Sequence, residues 1–417
     1  MRKTKVVLIT EYFPYSHDYE IFLEKEIEYW EEQKDTQLII LPMYKDNNVR
    51  NIPPNIIIDN SLADYLATKE YELETNNYKI LHLLNSLKNK IFWKEIFREI
   101  IKQPSLIQEL LFSLRKFDLY KNFFQEYLKT NNINIFYTYW YTEITYALQI
   151  LKNKYKYKLV TRVHGYDLYK DRTFKNYMPL RTQFTKDIDK IFTLSNKAIT
   201  YMMNVYGYKK ELLKVSKLGV EDLNIITKPS EENNLNIVSC SSLIPIKRVD
   251  KIIDTLSLLA KEQPNLSIKW THIGDGKLYN TLYDRATKKL KDSNISFIFL
   301  GFLSNKEVFE FYKKNEVDLF LNLSESEGVP VSIMESMSCH IPIVAPDIGG
   351  ISDMVVSDFN GVLLSKSPEI EEIVQALKNT LYFKNKTIRE NSYLQYKKLY
   401  DAKLNYSQFI KRVINDN

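Results

Sequence analysis

Short apolar runs alternate with helical patterns through the second half of the chain. Near-continuous apolar runs predict parallel strands that are covered on both faces. They lie at 236–240, 266–273, 295–300, 317–322 and 341–345. Between them, apolar residues recur at helical spacing over 249–262, 277–290, 304–314 and 331–338. Strand–helix repeats of this kind predict a doubly wound α/β domain.

The first half begins and ends with the same alternation. Its predicted strands lie at 5–10, 37–41, 134–140, 157–163 and 190–195. A long helical stretch over 78–131, broken near Pro104, separates the second strand from the third. Because 417 residues are too many for one core and enough for two, we expect two α/β domains.

A polar segment over 227–234 lies between the two halves. Apart from one proline it contains no apolar residue, and we expect it to be the linker. We place an N-terminal domain at 1–226 and a C-terminal domain at 232–385. A final helical segment is expected at 386–417.

Glycine and cysteine usage narrows the classes of function. The chain has only 10 glycines, and none precedes Gly165. Neither G-x-G-x-x-G nor G-x-x-x-x-G-K-[ST] occurs, which argues against dinucleotide-binding dehydrogenases and P-loop nucleotidases. Cys240 and Cys339 fit no metal or redox spacing, and no histidine has a partner at ligand spacing. We expect no metal site, no cofactor and a cytoplasmic location.

Positive charge is concentrated in one block of the chain. Residues 86–217 hold 25 Lys and Arg against 11 Asp and Glu, within a net charge of +6. Such a block suits an anionic partner, which could be a lipid surface, a phosphorylated substrate or nucleic acid. A lysine-rich solvated surface accounts for the block equally well.

The strongest candidate for chemistry is SESEGVPVSIMES, residues 324–336. It follows a predicted strand and enters a helix, with Pro330 near the first turn, where proline is favoured. Gly328 lets a ligand approach the backbone, and free N–H groups at a helix start hold phosphate. Glu327 and Glu335 suit ligand hydroxyls. Taken alone, helix capping and a solvated Glu335 explain the same residues.

This block resembles the retaining, two-domain glycosyltransferases of family 4, the glycogen-synthase-like or mannosyltransferase type. The resemblance rests on Glu-x7-Glu followed by SMSCHIPIVAPDIGG. Further matches are Ser242–Asp250, Ile273–Leu278, Phe299–Leu303, Arg162–Asp167 and Lys217–Val220. It implies the GT-B fold, in which two doubly wound, Rossmann-like domains face a cleft and the segment 386–417 returns to the N-terminal domain.

The resemblance also implies a role for each matched residue. Catalytic roles would fall to His164, Lys247 and Glu327. The donor would be bound by Ser242, Lys247, Phe302, Gly328, Val329, Pro330 and Glu335. In detail, Lys247 would neutralise the pyrophosphate, Glu335 would hold the ribose diol, and His164 would touch the sugar from the opposite domain.

The expected function is retaining, metal-independent transfer of a sugar from a nucleotide diphosphate, UDP first and GDP second. The acceptor would be a glycan or a lipid-linked glycan in surface polysaccharide or glycoconjugate synthesis. Ser242 departs from the pattern, because many relatives carry arginine there, and this favours the alternative of a catalytically silent partner subunit. A nucleic-acid-binding protein is a weaker alternative, since the basic block contains no recognition-helix motif and no RNP signature.

The start of the basic block predicts contact with an anionic membrane surface, which would place the protein at the inner face of the membrane. Cationic and large apolar side chains are interleaved there in a helical stretch, as interfacial helices require. The cations are Lys88, Lys90, Lys94, Arg98 and Lys102, and the apolar residues are Phe92, Trp93, Ile96, Phe97 and Ile100. Packing of the rings into the domain core is the alternative.

Overall fold

The computed structural model describes residues 3–15, 20, 22–74, 86–291 and 293–415. The chain divides into two compact units. The first unit comprises Met1–Ser216 and Tyr406–Asn417, and the second unit comprises Lys217–Asn405.

In the described part of the first unit, seven parallel strands form one sheet. They are β1 Thr4–Thr10, β2 Thr36–Pro42, β3 Ile57–Ile58, β4 Ile135–Thr138, β5 Lys158–Arg162, β6 Lys190–Thr193 and β7 Leu213–Val215. Their order is β3-β2-β1-β4-β5-β6-β7. The five predicted strands are confirmed. The strands β3 and β7 were not predicted, because they are edge strands of only two and three residues.

Helices cover this sheet. They are Phe22–Glu31, Ser61–Glu74, Lys90–Glu95, Ile107–Thr130, Glu143–Lys152, Asn196–Tyr201 and the last part of Ala402–Asn415. Of the predicted helical stretch 78–131, residues 78–85 lie outside the described residues. The predicted break is confirmed: a π-helical turn at Ile96–Ile100 and a 3₁₀ turn at Pro104–Leu106 separate two α-helices.

Alternate side chains of β1 enter two separate cores, one on each face of the sheet, because successive strand residues point to opposite faces. One core contains Val6, Leu8, Trp30, Phe409, Ile410 and Val413. The other contains Val7, Ile9, Phe117, Phe124 and Phe136. The first sheet is therefore doubly wound, and the final helix forms part of one of its two layers.

In the described part of the second unit, six parallel strands form a sheet in the order β10-β9-β8-β11-β12-β13. They are β8 Asn234–Cys240, β9 Ser267–Ile273, β10 Ile295–Phe299, β11 Leu319–Leu321, β12 Ile343–Pro346 and β13 Gly361–Leu364. The five predicted strands are confirmed, and the edge strand β13 was not predicted.

The helices of the second unit follow the same alternation. They are Val249–Glu262, Tyr279–Leu290, Asn305–Lys314, Val331–Ser338, Ile351–Met354, Ile370–Lys378, Thr380–Lys384 and Lys386–Tyr400. The predicted helices 249–262 and 331–338 have the observed bounds. Parallel strands joined by helices place the loops that follow β8, β9 and β11 at the carboxyl end of the sheet, where ligands bind in such folds.

The polar segment 227–234 is held against the second unit, whereas the sequence analysis interpreted it as a linker. The Thr227 N–H donates to the carbonyl of Cys339 at 3.2 Å, and the Ser230 hydroxyl donates to Asp318 at 2.6 Å. The units divide at Ser216, upstream of the expected 226, because Val220 is bridged to Asp401 and moves with the second unit.

The expected C-terminal segment 386–417 is also shared between the units. Helix Lys386–Tyr400 packs on Val331–Ser338 inside the second unit. Only from Tyr406 onward does the chain belong to the first unit. None of the helices in the described part of the chain combines the length and apolar character that crossing a bilayer requires.

Candidate functional site

Two glycines of the second unit bring the turn after β9 against the loop after β8. Gly274 and Gly276 have φ values of +137° and +155°. A β-carbon at Gly274 would lie 1.9 Å from the carbonyl oxygen of Ser241, and one at Gly276 would lie 2.7 Å from that of Leu243. Since no side chain fits either position, these glycines hold the 241–248 loop in place.

Lys247 and Glu327 form an ion pair at the carboxyl end of the sheet. Lys247 ends the 3₁₀ turn Pro245–Lys247 after β8, and Glu327 lies in the loop after the neighbouring strand β11. The Lys247 Nζ is 2.6 Å from the Glu327 Oε1, and the two side chains are 21% and 10% exposed. The Asn322 amide donates to the same oxygen at 3.4 Å. The structure therefore brings together two of the three residues predicted to be catalytic.

The loop that carries Glu327 is shaped by two further glycines. Gly349 has a φ of +50°, and a β-carbon there would lie 1.9 Å from the Glu327 carbonyl oxygen. The Gly350 N–H donates to the Gly328 carbonyl at 2.7 Å. A β-carbon at Gly328 itself would meet nothing within 4 Å. Gly328 thus leaves space above the loop, whereas Gly349 permits the close backbone contact beneath it.

The helix that follows starts without a side-chain cap. Pro330 is its N-cap residue, with φ −71° and ψ 124°, and no side chain accepts from the first turn of Val331–Ser338. Val329 is half-buried immediately before it. N–H groups in a first turn that lack an internal partner are donors to anions. An anion-binding helix start therefore lies in the same loop as the Lys247–Glu327 pair.

Glu335, one turn into this helix, is buried with 7% exposure. The Asn305 amide donates to its Oε1. Burial raises the pKa of the Glu335 carboxyl to about 8, and the hydrogen bond from Asn305 opposes that shift. The carboxyl group is therefore protonated in the unliganded protein at neutral pH, which contradicts a solvated surface role. In contrast to Glu335, Phe302 is exposed. Its ring, just beyond the end of β10, is 80% exposed.

Ser242 is exposed in the loop after β8. The neighbouring cation Arg248 does not replace the missing arginine, because its guanidinium contacts Glu325 and Asp250. Lys247 is thus the cation that this loop presents beside Glu327.

His164, the third predicted catalytic residue, belongs to the first unit and follows β5. Its ring is 9% exposed, and its centroid lies 4.5 Å from that of Tyr139 and 4.6 Å from that of Trp140. Within the part of the chain that the structure describes, neither ring nitrogen has a hydrogen-bond partner. Burial, and to a lesser extent Arg162, hold its pKa well below the usual range. The neutral His164 ring therefore has one donor and one acceptor nitrogen that are buried and unsatisfied among the described residues.

The sequence analysis missed Glu20, which shapes the loop after β1. Its carboxylate accepts the N–H groups of Glu11, Tyr12 and Phe13 at 2.7–2.9 Å and the Trp140 indole N–H at 2.8 Å. This one buried side chain organises a loop that contains no glycine and orients the indole that packs on His164. A single glutamate in a polar stretch carries no sequence signal for such a role.

Gly165 next to His164 has a contact that the sequence did not indicate. A β-carbon at Gly165 would lie 2.0 Å from an Arg172 guanidinium nitrogen. The glycine therefore makes room for the Arg172 side chain. In the described part of the chain, no three His, Cys, Asp or Glu side chains gather as a metal-binding group.

Comparison with known proteins shows which family part of the chain resembles and which structures share its fold. Residues 222–393, nearly all of the second unit, match the family described as glycosyl transferases group 1. Among curated proteins, the uncharacterised glycosyltransferase MJ1178 of Methanocaldococcus jannaschii is 28% identical over 249 residues. That alignment covers 58% of this chain and 64% of the archaeal protein, so less than two thirds of the relative is spanned.

Two solved structures share the fold over 99% of this chain and 99% of their own. The apo form of the lipopolysaccharide outer core galactosyltransferase WaaB has a TM-score of 0.71 at 16% identity. HepE from Anabaena, solved with UDP and glucose, has a TM-score of 0.63 at 16% identity. Residues 222–393 therefore resemble the glycosyl transferases of group 1, and the chain has the fold of the WaaB and HepE structures.

Proposed function

We propose that this protein transfers a sugar from a nucleotide diphosphate, with UDP favoured over GDP, to a glycan or lipid-linked acceptor during surface polysaccharide or glycoconjugate synthesis. The transfer retains the anomeric configuration and needs neither a metal ion nor a cofactor. The observation that carries the proposal is the Lys247–Glu327 pair beside an uncapped helix start. HepE, which was solved with UDP and glucose, supports UDP, and WaaB supports surface polysaccharide.

The reaction breaks the bond between the anomeric carbon and the phosphate oxygen while the acceptor oxygen bonds to the same face of that carbon. Negative charge grows on the leaving diphosphate, so the Lys247 ammonium and the N–H groups of Val331–Ser338 lower the barrier. The departing phosphate oxygen takes the proton of the acceptor hydroxyl, so no side-chain base is required. Glu327 holds Lys247 and lies beside the donor sugar.

The remaining residues bind and orient the donor. Glu335 accepts the ribose hydroxyls, which restore hydrogen bonds to a carboxyl that is otherwise buried. Backbone N–H groups at Gly328 and Val329 meet the phosphates, and exposed Phe302 offers a face to the base. His164 gives a sugar hydroxyl one donor and one acceptor without adding charge.

The proposal is tested with the full chain and a panel of UDP-glucose, UDP-galactose, UDP-N-acetylglucosamine and GDP-mannose. We expect UDP-sugars to raise the melting temperature, and slow hydrolysis in water to release the sugar with its original anomeric configuration, as seen by NMR. EDTA should leave the rate unchanged. An inverted product, dependence on a divalent ion, or failure of every donor to bind would each contradict the proposal.

A catalytically silent subunit is the second candidate, and the observation that favours it is Ser242. The loop lacks the second cation seen in many relatives, and Arg248 is engaged by Glu325. A silent subunit would bind UDP-sugars and raise its melting temperature without releasing sugar in water, whereas the enzyme does both.

The affinity for UDP should depend on pH through Glu335. An ionised carboxylate accepts two ribose hydroxyls, whereas the protonated form accepts fewer, and the raised pKa of about 8 keeps the free protein protonated at neutral pH. We therefore expect the association constant to rise with pH by up to about tenfold per unit below 8. Calorimetry between pH 6.5 and 8.5 measures this rise. Glu335→Gln should bind more weakly and lose the extra pH dependence, and an identical slope in both proteins would contradict the role.

An exposed surface of the first unit supports the proposed contact with membranes. This aromatic–basic patch consists of Leu87, Trp93, Phe97 and Ile101, with Lys88, Lys90, Lys94 and Lys102 among them, all exposed. Trp93 and Phe97 are 43% and 66% exposed. The sequence-based set needs correction in two residues: Phe92 and Ile100 are buried in the core, because they lie on the inner face of the turn.

The patch should dock on anionic lipid, since rings insert at the interface and each nearby cation adds about 1 kcal/mol. Co-sedimentation with phosphatidylglycerol vesicles measures binding, which should fade toward about 0.5 M salt as the charges are screened. Replacing Lys88, Lys90 and Lys94 by Glu should abolish it. The matched triple change of Lys156, Lys209 and Lys210, exposed elsewhere in the unit, should retain most binding. Equal binding to neutral phosphatidylcholine vesicles would contradict docking by charge.

A further inference from the structure

The first unit contains a cavity of about 630 Å³, within the range of about 300–1,000 Å³ that is typical of ligand sites. Its walls come from the end of β1, from helix Ile107–Thr130 and from the segments that follow β4 and β5. It therefore lies at the carboxyl end of the central strands, where ligands bind in parallel sheets. None of the donor-binding residues proposed above lines it.

Exposed aromatic rings stand at this cavity. They belong to Phe112, Tyr166 and Phe174, and the Tyr166 ring is 69% exposed. The Lys116 ammonium lies over the Phe112 ring and the Lys175 ammonium over the Phe174 ring, so the Tyr166 ring is the most open of the three. The electron-rich face of an aromatic ring attracts the weakly positive C–H groups on the face of a sugar ring. These rings favour a carbohydrate.

Carboxylates supply hydrogen-bond acceptors in the same cavity. They are Glu11, Glu109 and Glu143, and the Ser113 hydroxyl donates to Glu143 at 2.7 Å. Asp167 is a fourth carboxylate at the wall, and the cations there are Lys116, which interacts electrostatically with Glu11, Arg172 and Arg181. The four carboxylates outnumber the three cations, so the lining favours ligand hydroxyls as donors over a phosphate or a uronate.

One donor at the wall needs an acceptor. Arg181 is 2% exposed and lines the cavity. Its other nitrogens donate to the Tyr146 hydroxyl and to the carbonyls of Tyr141 and Asp167, while Nη1 has no partner among the described residues. An unpaired buried donor is costly. A ligand amine would donate to the carboxylates and leave the Arg181 Nη1 donor unpaired. A phosphate would accept from Arg181 and leave the carboxylates without a donor. A hydroxyl group both donates and accepts.

We propose that this cavity binds the terminal sugar of the acceptor, and that this sugar is an uncharged, hydroxyl-rich ring that hydrogen-bonds to Glu109, Glu143 and Arg181 and stacks on an aromatic side chain. The inference rests on the proposed function and deepens it by naming the substrate class. If the acceptor is lipid-linked, its phosphates lie outside this cavity.

The test uses the full chain with UDP present and calorimetric titration with methyl glucoside, methyl galactoside, methyl mannoside, glucosamine, glucuronic acid and glucose 1-phosphate. At least one neutral glycoside should bind more tightly than the three charged sugars. Glu143→Gln and Glu109→Gln should each lower the affinity for that glycoside about tenfold, because each removes one charge-assisted hydrogen bond. Glu126→Gln is the matched control, because Glu126 lies exposed on the same helix as Glu109 and pairs only with Lys129 in the described residues, and it should bind normally.

Tyr166→Ala provides a second test that does not depend on a buried group. This change should also lower the affinity for the neutral glycoside. Preference for a phosphate, a uronate or an amine, or binding that no cavity variant alters, would overturn the inference. Hydrolysis of UDP-sugars in water by the unaltered protein tests the proposed function by itself. Hydrolysis without any neutral glycoside binding would therefore reject the inference and leave the proposed function standing.

Discussion

Replacing Lys247 by alanine is expected to lower the turnover number about 100-fold or more, with a smaller change in donor affinity. The diphosphate gains negative charge as the sugar leaves, and an ammonium group held at that place is worth several kcal/mol in the transition state. Lys247 is held in advance, because its Nζ lies 2.6 Å from Glu327. Steady-state kinetics with saturating UDP-sugar measures the loss.

Arg248→Ala is the control for this experiment. The two cations are adjacent in the chain, but the Arg248 guanidinium contacts Glu325 and Asp250. We expect Arg248→Ala to keep the turnover number within a few-fold of the unaltered protein. A Lys247→Ala protein that retains full turnover would mean that Lys247 only positions Glu327, and the assignment of the catalytic cation would be wrong.

Replacing Glu26 by alanine is expected to cost about 3–5 kcal/mol of unfolding free energy in the first unit. The Arg162 Nη1 lies 2.6 Å from the Glu26 Oε2, and both side chains are fully buried. The guanidinium also lies 3.9 Å from the centroid of the Phe409 ring. Removing the carboxylate leaves an unpaired charge in a low-dielectric core, which is far costlier than losing a pair in water.

Urea unfolding followed by tryptophan fluorescence measures this cost. Glu126→Ala removes one partner of the exposed pair with Lys129, and it should change the free energy by less than about 1 kcal/mol. The double change Glu26→Leu and Arg162→Met should recover much of the loss, because it removes both charges. If Glu26→Ala proved as stable as Glu126→Ala, the buried pair would not carry the stability of this layer.

The elements that the sequence predicted well have a local pattern. Helices 249–262 and 331–338 were predicted with their observed bounds, because helical spacing of apolar residues is visible within a single segment. The strands that were missed, β3, β7 and β13, all lie at sheet edges. These edge strands have only two to four residues, so an apolar run of that length does not distinguish them from a loop, and they are strands because a neighbouring strand binds them.

The candidate site divides in the same way. Glu327 and Glu335 lie in the block 324–336, where residue type and spacing indicated them, whereas Lys247 was indicated only by the resemblance to a known family. Glu20 and Gly349 act through contacts with distant segments, which no local pattern records. The proton that Glu335 carries at neutral pH also depends on burial in the folded unit, and burial of a helical glutamate cannot be read from its neighbours in sequence.

The final helix has a consequence for how the chain folds during synthesis. Phe409, Ile410 and Val413 complete one layer of the first unit, yet they are translated after the whole second unit. Domains usually fold as they emerge from the ribosome, in order from the N-terminus. Here the second unit has all of its residues before the first does. Trp30 and its helix already pack on that face, but the part that Phe409, Ile410 and Val413 cover stays exposed while the second unit is translated. We expect molecular chaperones to bind this exposed part during that interval.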